Sequence, residues 1–180
     1  MVRQAMVIER DHVAVYLPAY NDALLIRHLR PLKQVRWEIF SKRTLKTYTE
    51  HHITLRPIQN ISFVKSMATS CGILTGGGFE TPAEAIFLGK KLFSVPMADQ
   101  YEQQCNSAAL RLMGIPVAEK IEHRFCDQLS DWLKYSVALK INYADHAPLL
   151  VRRIMKLHNI QPTGIFFPPR FLDSLRMSVQ

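Results

Sequence analysis

The chain has 180 residues, 48% hydrophobic and 21% charged, with 23 Lys and Arg against 15 Asp and Glu for a formal charge of +8. That length and composition suit one folded domain with a real core and exclude disorder, collagen and coiled coil. No apolar run approaches the ~20 residues of a membrane-spanning helix, and Met1–Met6 carries no signal-peptide core.

Short apolar runs alternate with amphipathic stretches along the chain. His12–Leu17 is β-branched and aromatic and stops at Pro18, which predicts a buried strand. Asn21 or Asp22 caps a predicted helix through Arg30, with Leu24, Leu25, His28 and Leu29 at helical spacing. Val35–Phe40 predicts a second strand, Ile53–Leu55 part of a third, and Ile61–Ser70 a short helix. Ile73-Leu74 then leads into Thr75-Gly76-Gly77-Gly78 and a helix over Thr81–Leu88, with Gly89 as a left-handed C-terminal cap. Leu92–Val95 is a further strand, Glu102–Met113 a helix stopped by Gly114, and Pro116–Ala118 a last short strand. Helices over Asp127–Lys140 and Ala147–His158 precede a tail, irregular from Gln161. Strand–helix alternation with near-continuous apolar strands predicts an α/β fold, a Rossmann-like parallel sheet with helices on both faces. No linker, repeat or charge block divides it, so residues 1–180 read as a single domain ending in a C-terminal helix and irregular tail over 147–180.

Cys71, Cys105 and Cys126 are odd in number and form no CxxC pair, so neither a zinc knuckle nor a disulfide framework is expected; buried, reduced thiols are. His51-His52 is expected at a strand start, where neighbours point to opposite faces and cannot easily share one metal ion.

The chemistry concentrates in Thr75–Ala85. Three glycines between a strand and a helix, with Pro82 in the first helical turn, let the backbone approach a ligand whose phosphate meets free N–H groups. The segment is neither GxGxxG nor a P-loop, and the triplet alone fits a tight strand-to-helix turn equally well. Glu84, inside the helix, could accept hydrogen bonds from a ribose diol or be a solvated helix glutamate. The polar run Met97–Asn106 suits hydroxyl-rich ligands such as sugars, and reads equally as a helix start capped by Asp99.

Taken together, Gly76-Gly77-Gly78-Phe79 with Glu84, then Gly89-Lys90-Lys91, Pro96, Glu102-Gln103 and Asn106, resemble the donor-binding half of GT-B glycosyltransferases. The resemblance is to the UDP-glycosyltransferases and the N-acetylglucosaminyltransferase of peptidoglycan synthesis; it covers residues 12–114, with its core in Thr75–Asn106. It implies a nucleotide-sugar-binding domain in which Gly76, Gly77, Gly78 and Phe79 hold the diphosphate and Glu84 binds the ribose of a UDP-like donor. It further implies that Glu102 and Gln103 contact the transferred sugar. Pro57-Ile58 would flank the base, with Ile58 the contributing residue, and Tyr20 and Asn21 would face the donor phosphates and the cleft.

Gly76 stands where plant and animal members carry a histidine, so backbone N–H groups must hold the phosphates. Gly76 also occupies the place of the glutamate of retaining members, and no DxD motif is present, which favours an inverting, metal-independent transferase. No cofactor beyond the nucleotide-sugar substrate and no metal site are expected. In the resembled families the catalytic base lies in a preceding nucleotide-fold domain, so no catalytic residue is assigned here. The expected partners are the sugar donor and that acceptor domain, in the same or another chain. A truncated longer enzyme is favoured, inactive in transfer by itself. Gly77→Val is expected to disrupt diphosphate binding more than folding.

Two other classes compete: a regulatory or partner-binding subunit that keeps the fold without chemistry, and a nucleic-acid-binding domain. The second is disfavoured because Arg27, Arg30, Lys33, Arg36, Lys42, Arg43 and Lys46 are scattered, without an aromatic-interleaved stripe. A cytoplasmic location is expected, with peripheral contact at the inner membrane face through Arg152, Arg153 and Lys156 beside Leu149, Leu150, Ile154 and Met155.

Overall fold

A computed structural model of the chain describes residues 11–141 and 144–158. The chain divides into two compact units, Met1–Ile141 and Asn142–Gln180. The first is built in the order β1 (His12–Tyr16), α1 (Asp22–Leu29), β2 (Arg36–Ser41), β3 (Tyr48–Glu50), β4 (Ile53–Pro57), α2 (Asn60–Thr69), β5 (Gly72–Thr75), α3 (Glu80–Phe87), β6 (Lys91–Ser94), α4 (Tyr101–Leu112) and α5 (Phe125–Tyr135). The second holds one described helix, α6 (Ala147–Leu157).

The six strands form one sheet in the order β3-β4-β2-β1-β5-β6. All neighbours run parallel except β3, which pairs antiparallel with β4 through Tyr48–Leu55, Thr49–Thr54 and Glu50–Ile53. Successive strand residues point to opposite faces, and in β1 both sets are buried, Val13 and Val15 on one side and Ala14 on the other. That is the condition of a parallel strand covered twice. Val13, Val15, Trp37, Ile39 and Leu55 pack with Leu25 and Leu29 of α1 and with Phe125, Leu129 and Trp132 of α5. Ala14, Ile73 and Leu92 pack with Met67 of α2, Ala85 and Ile86 of α3 and Leu110 of α4. The architecture is the expected Rossmann-like α/β sheet with helices on both faces.

Aromatic contacts pin β6 to α5. The Phe93 ring of β6 lies 6.0 Å from Phe125 and 5.7 Å from Trp132, both edge-on, pairs worth about 0.5–1.5 kcal/mol each beyond their burial. Lys91 Nζ donates to the Leu133 carbonyl at 2.8 Å, placing a cation at the last turn of α5.

Several boundaries differ from the sequence expectation. β3 is not visible as an alternating pattern because it is three residues long and exposed. His51-His52 is the β3–β4 turn rather than a strand start: His51 has φ +58°, and the His52 ring contacts the Leu29 carbonyl at 3.3 Å. α5 stops at Tyr135, not Lys140, because Ser136 is extended and Leu139 and Ile141 pack on the opposite core from α5. Pro116–Ala118 makes only a bridge, Val117 to Ser94. α4 begins at Tyr101 behind Gln100, with no side-chain cap, so Asp99 does not cap it. Cys105 is exposed, while Cys71 and Cys126 are half-buried. Gly89 has the left-handed φ expected of it, +63°. The tail from Gln161 lies outside the described residues. No described helix is long and apolar enough to cross a membrane.

Candidate functional site

Strand order places the site. From β1 the chain runs outward through β2 to β4, then returns across α2 to β5 on the other side of β1. Crevices at the carboxyl ends of strands form where the order reverses in this way. A cavity of about 450 Å³ lies there, lined by Tyr16–Tyr20 after β1, Thr75, Gly76 and Gly78 after β5, Phe79–Pro82 at the start of α3, Val95 and Met97 after β6, and Glu102 and Gln103 in the first turn of α4.

The glycine loop is shaped by space, since none of its three residues has a left-handed φ. A Cβ on Gly77 would lie 2.6 Å from both the Gln103 backbone oxygen and Ser107 Oγ, so the loop rests directly on α4. A Cβ on Gly76 would meet Gln103 Oε1 at 3.4 Å, and one on Gly78 would meet nothing within 4 Å. The Gln103 amide oxygen accepts from Gly77 N–H at 3.1 Å and from Met97 N–H at 3.0 Å. Asn106 Nδ2 donates to the Gly77 carbonyl at 3.1 Å.

Two helix starts meet the cavity. Neither α3 nor α4 has a side-chain cap at its first turn. The backbone N–H groups at such an end lack intrahelical partners and carry partial positive charge, an environment that suits an anion. Against this, the lining includes the carboxylates Glu80 and Glu102 and, among the described residues, no Lys, Arg or His. The cation tied to its rim is Arg43, whose Nη1 donates to the Tyr20 carbonyl at 2.8 Å. Burial raises the Tyr20 phenol above its ordinary range, so it stays a neutral donor at pH 7.

The expected site residues separate into two groups. Gly76, Gly78, Phe79, Glu102, Gln103 and Tyr20 share the cavity, and Gly77 stands behind its wall. Glu84, Asn21 and Ile58 do not line it. Glu84 sits one turn further along α3, half-buried, its carboxyl raised by burial and then by Glu80. Asn21 caps α1, its Oδ1 accepting from Leu24 N–H at 3.2 Å. Ile58 lies in the loop between β4 and α2. Thr75, Thr81 and Met97 of the lining fall within the segments that the sequence singled out but had no role of their own there, and Arg43 had none. Their signal was positional, since Arg43, Thr75 and Met97 follow predicted strand ends and Thr81 opens the predicted helix.

The comparisons agree with the fold. A family model described as Glycosyl transferase family 1 matches residues 2–135. The glycosyltransferase SnogD from Streptomyces nogalater is similar in structure at TM-score 0.53 and 14% identity, the match covering 98% of this chain and 44% of SnogD. Arabidopsis thaliana UGT89C1 complexed with UDP gives TM-score 0.52 and 16% identity over 94% of this chain and 43% of that one. The ALG13 solution structure gives TM-score 0.51 and 13% identity, covering 81% of this chain and 95% of ALG13. The chain thus spans under half the length of SnogD and UGT89C1. None of the curated proteins matches the sequence significantly.

Proposed function

The chain belongs to glycosyl transferase family 1, and from that premise we propose that its cavity binds the diphosphate of a nucleotide sugar, with UDP as the nucleotide. The carrying observation is the meeting of two uncapped helix starts with a backbone-lined glycine loop at the sheet's reversal point. Oriented N–H groups would hold the diphosphate in the ground state. They would also stabilise the charge that grows on it as the sugar leaves. Tyr20, a neutral phenol on the lining, would donate to the same oxygens. Glu102 in the lining would take the sugar, while Glu84, one turn beyond the lining on α3, would take the ribose hydroxyls and Ile58 would flank the base from outside the cavity.

The reading continues to an inverting, metal-independent transferase whose acceptor and base come from a second nucleotide-fold half. Phe79, 71% exposed on the rim, and Tyr101, 85% exposed beside Glu102, are large aromatics that such a half would cover. A cytoplasmic setting and peripheral membrane contact through α6 belong to the same proposal. The α6 sequence supports the latter, with Arg152, Arg153 and Lys156 but no acidic residue among exposed Leu150, Ile154 and Leu157. Glu80 and Glu102 in the lining favour one competing reading, a partner-binding subunit that keeps the fold without a phosphate ligand.

Calorimetric titration of the chain with UDP and UDP-sugars separates the two. Binding by the wild type is expected, with Glu84→Ala weakening it by roughly 1–3 kcal/mol through lost hydrogen bonds. A wild type with no affinity for any uridine nucleotide would remove the donor reading.

A further inference from the structure

We propose that Gln103 and Asn106 are positioning residues that lock the glycine loop to α4, and that Gln103 serves the diphosphate half of the site rather than reading the sugar. Hydrogen-bond capacity sets the role of Gln103. An amide oxygen has two lone pairs, and those of Gln103 Oε1 are both taken, by Gly77 N–H at 3.1 Å and Met97 N–H at 3.0 Å. Its Nε2 donates to Gln100 Oε1 at 2.5 Å. No acceptor capacity is left for a sugar hydroxyl, and one N–H remains.

Asn106 completes the lock. It lies three residues further along α4, on the same helical face, and its Nδ2 donates to the Gly77 carbonyl at 3.1 Å. Both polar groups of Gly77 are therefore held by one helix. Gly77 cannot approach α4 more closely, because its Cα already leaves only 2.6 Å between a Cβ position and the Gln103 backbone oxygen. It cannot withdraw without breaking both bonds. Since Met97 hangs on the same oxygen, the loops after β5 and β6 become one wall. Gly76 and Gly78, either side of the locked residue, then present their backbone to the cavity without reorganising when an anion arrives. Sugar selectivity passes to Glu102, which lines the cavity from the preceding position.

The lock itself is independent of any ligand; its effect on binding rests on the diphosphate reading above. The test uses the full chain as wild type, Gln103→Leu, Gln103→Glu and Asn106→Leu. Amide exchange followed by NMR should quicken at Gly77 and Met97 by about tenfold or more in Gln103→Leu, while β1 amides keep their protection. Gln103→Glu, whose carboxylate can accept from both N–H groups, should restore slow exchange. UDP affinity should fall by about tenfold in Gln103→Leu and Asn106→Leu. A UDP-sugar should lose the same factor, and uridine none. Unchanged exchange in Gln103→Leu overturns the lock. A loss confined to the UDP-sugar, with UDP unaffected, overturns the assignment to the diphosphate half. Should the wild type bind no uridine nucleotide, the donor reading falls, and the exchange measurement still decides the lock. If Gln103→Leu fails to fold, Gln103→Met, unbranched and without the amide, carries both arms.

Discussion

Gly76, Gly77 and Gly78 are glycine for different reasons. Gly77 is glycine because α4 leaves it no room; a Cβ on Gly76 would make only ordinary contacts, with Gln103 Oε1 and the Val95 carbonyl; Gly78 faces open space. Gly77→Ala should therefore lower stability by about 1–3 kcal/mol, as overpacking does, and show as a lower urea midpoint. Gly78→Ala should stay within about 0.5 kcal/mol of wild type, since its methyl group meets nothing within 4 Å, and on the donor reading it should lose uridine-nucleotide affinity because Gly78 lines the cavity. Equal stability of the two variants would contradict the division. The expectation that Gly77→Val harms binding more than folding is corrected on the same ground, since a branched side chain meets the Gln103 backbone. A loop between strand and helix was legible from three successive glycines. Which glycine has room for a side chain was not, because that depends on where a helix some thirty residues downstream comes to rest.

Between elements, one polar cluster ties strands to a helix. Glu38 of β2 accepts from Ser66 Oγ of α2 at 2.7 Å and from Arg56 Nη2 of β4 at 3.2 Å, while the buried His12 of β1 lies 3.9 Å away. Burial pushes the Glu38 carboxyl up, but Ser66, His12 and Arg56 together outweigh it and hold the group below its ordinary range. Its folded pKa is thus below the unfolded one. The stabilisation is complete above the ordinary carboxylate range and disappears as pH falls through the folded value. Glu38→Gln should therefore lower the urea midpoint at about pH 6, and its deficit against wild type should shrink toward about pH 3. A deficit independent of pH would argue that the role is packing alone. Nothing in sequence spacing announces this cluster, since His12, Glu38, Arg56 and Ser66 meet only once β1, β2 and β4 are in register. Periodicity did disclose the buried strands and most helices, because each carries its own apolar stripe. It failed for β3, whose pairing partner supplies the order, and for the end of α5, where Leu139 and Ile141 belong to another face.

For the whole molecule, the fold and the position of its cavity follow from chain order, because alternating strands and helices with one reversal leave few alternatives. Ligand identity does not follow in that way, and Glu80 and Glu102 in the lining show why: backbone N–H groups attract what those carboxylates repel. If the acceptor half is a separate body, the 180-residue chain should bind a UDP-sugar and transfer nothing, as read by product formation over a broad acceptor set. Sustained transfer by the purified chain would locate the base within it.

The two margins of the sheet bear on how the protein behaves in crowded solution. Unpaired strand margins are templates on which copies of a protein polymerise. Here β3 offers only three residues on one side. On the other, β6 is four residues long, buried at its last three, and bridged by Val117 at Ser94. Among the described residues both margins are short, which blunts pairing between molecules. Among the described residues, association by strand pairing is thereby disfavoured, and loss of β3 or of the Val117 bridge would uncover the longer β4 margin or the last residues of β6.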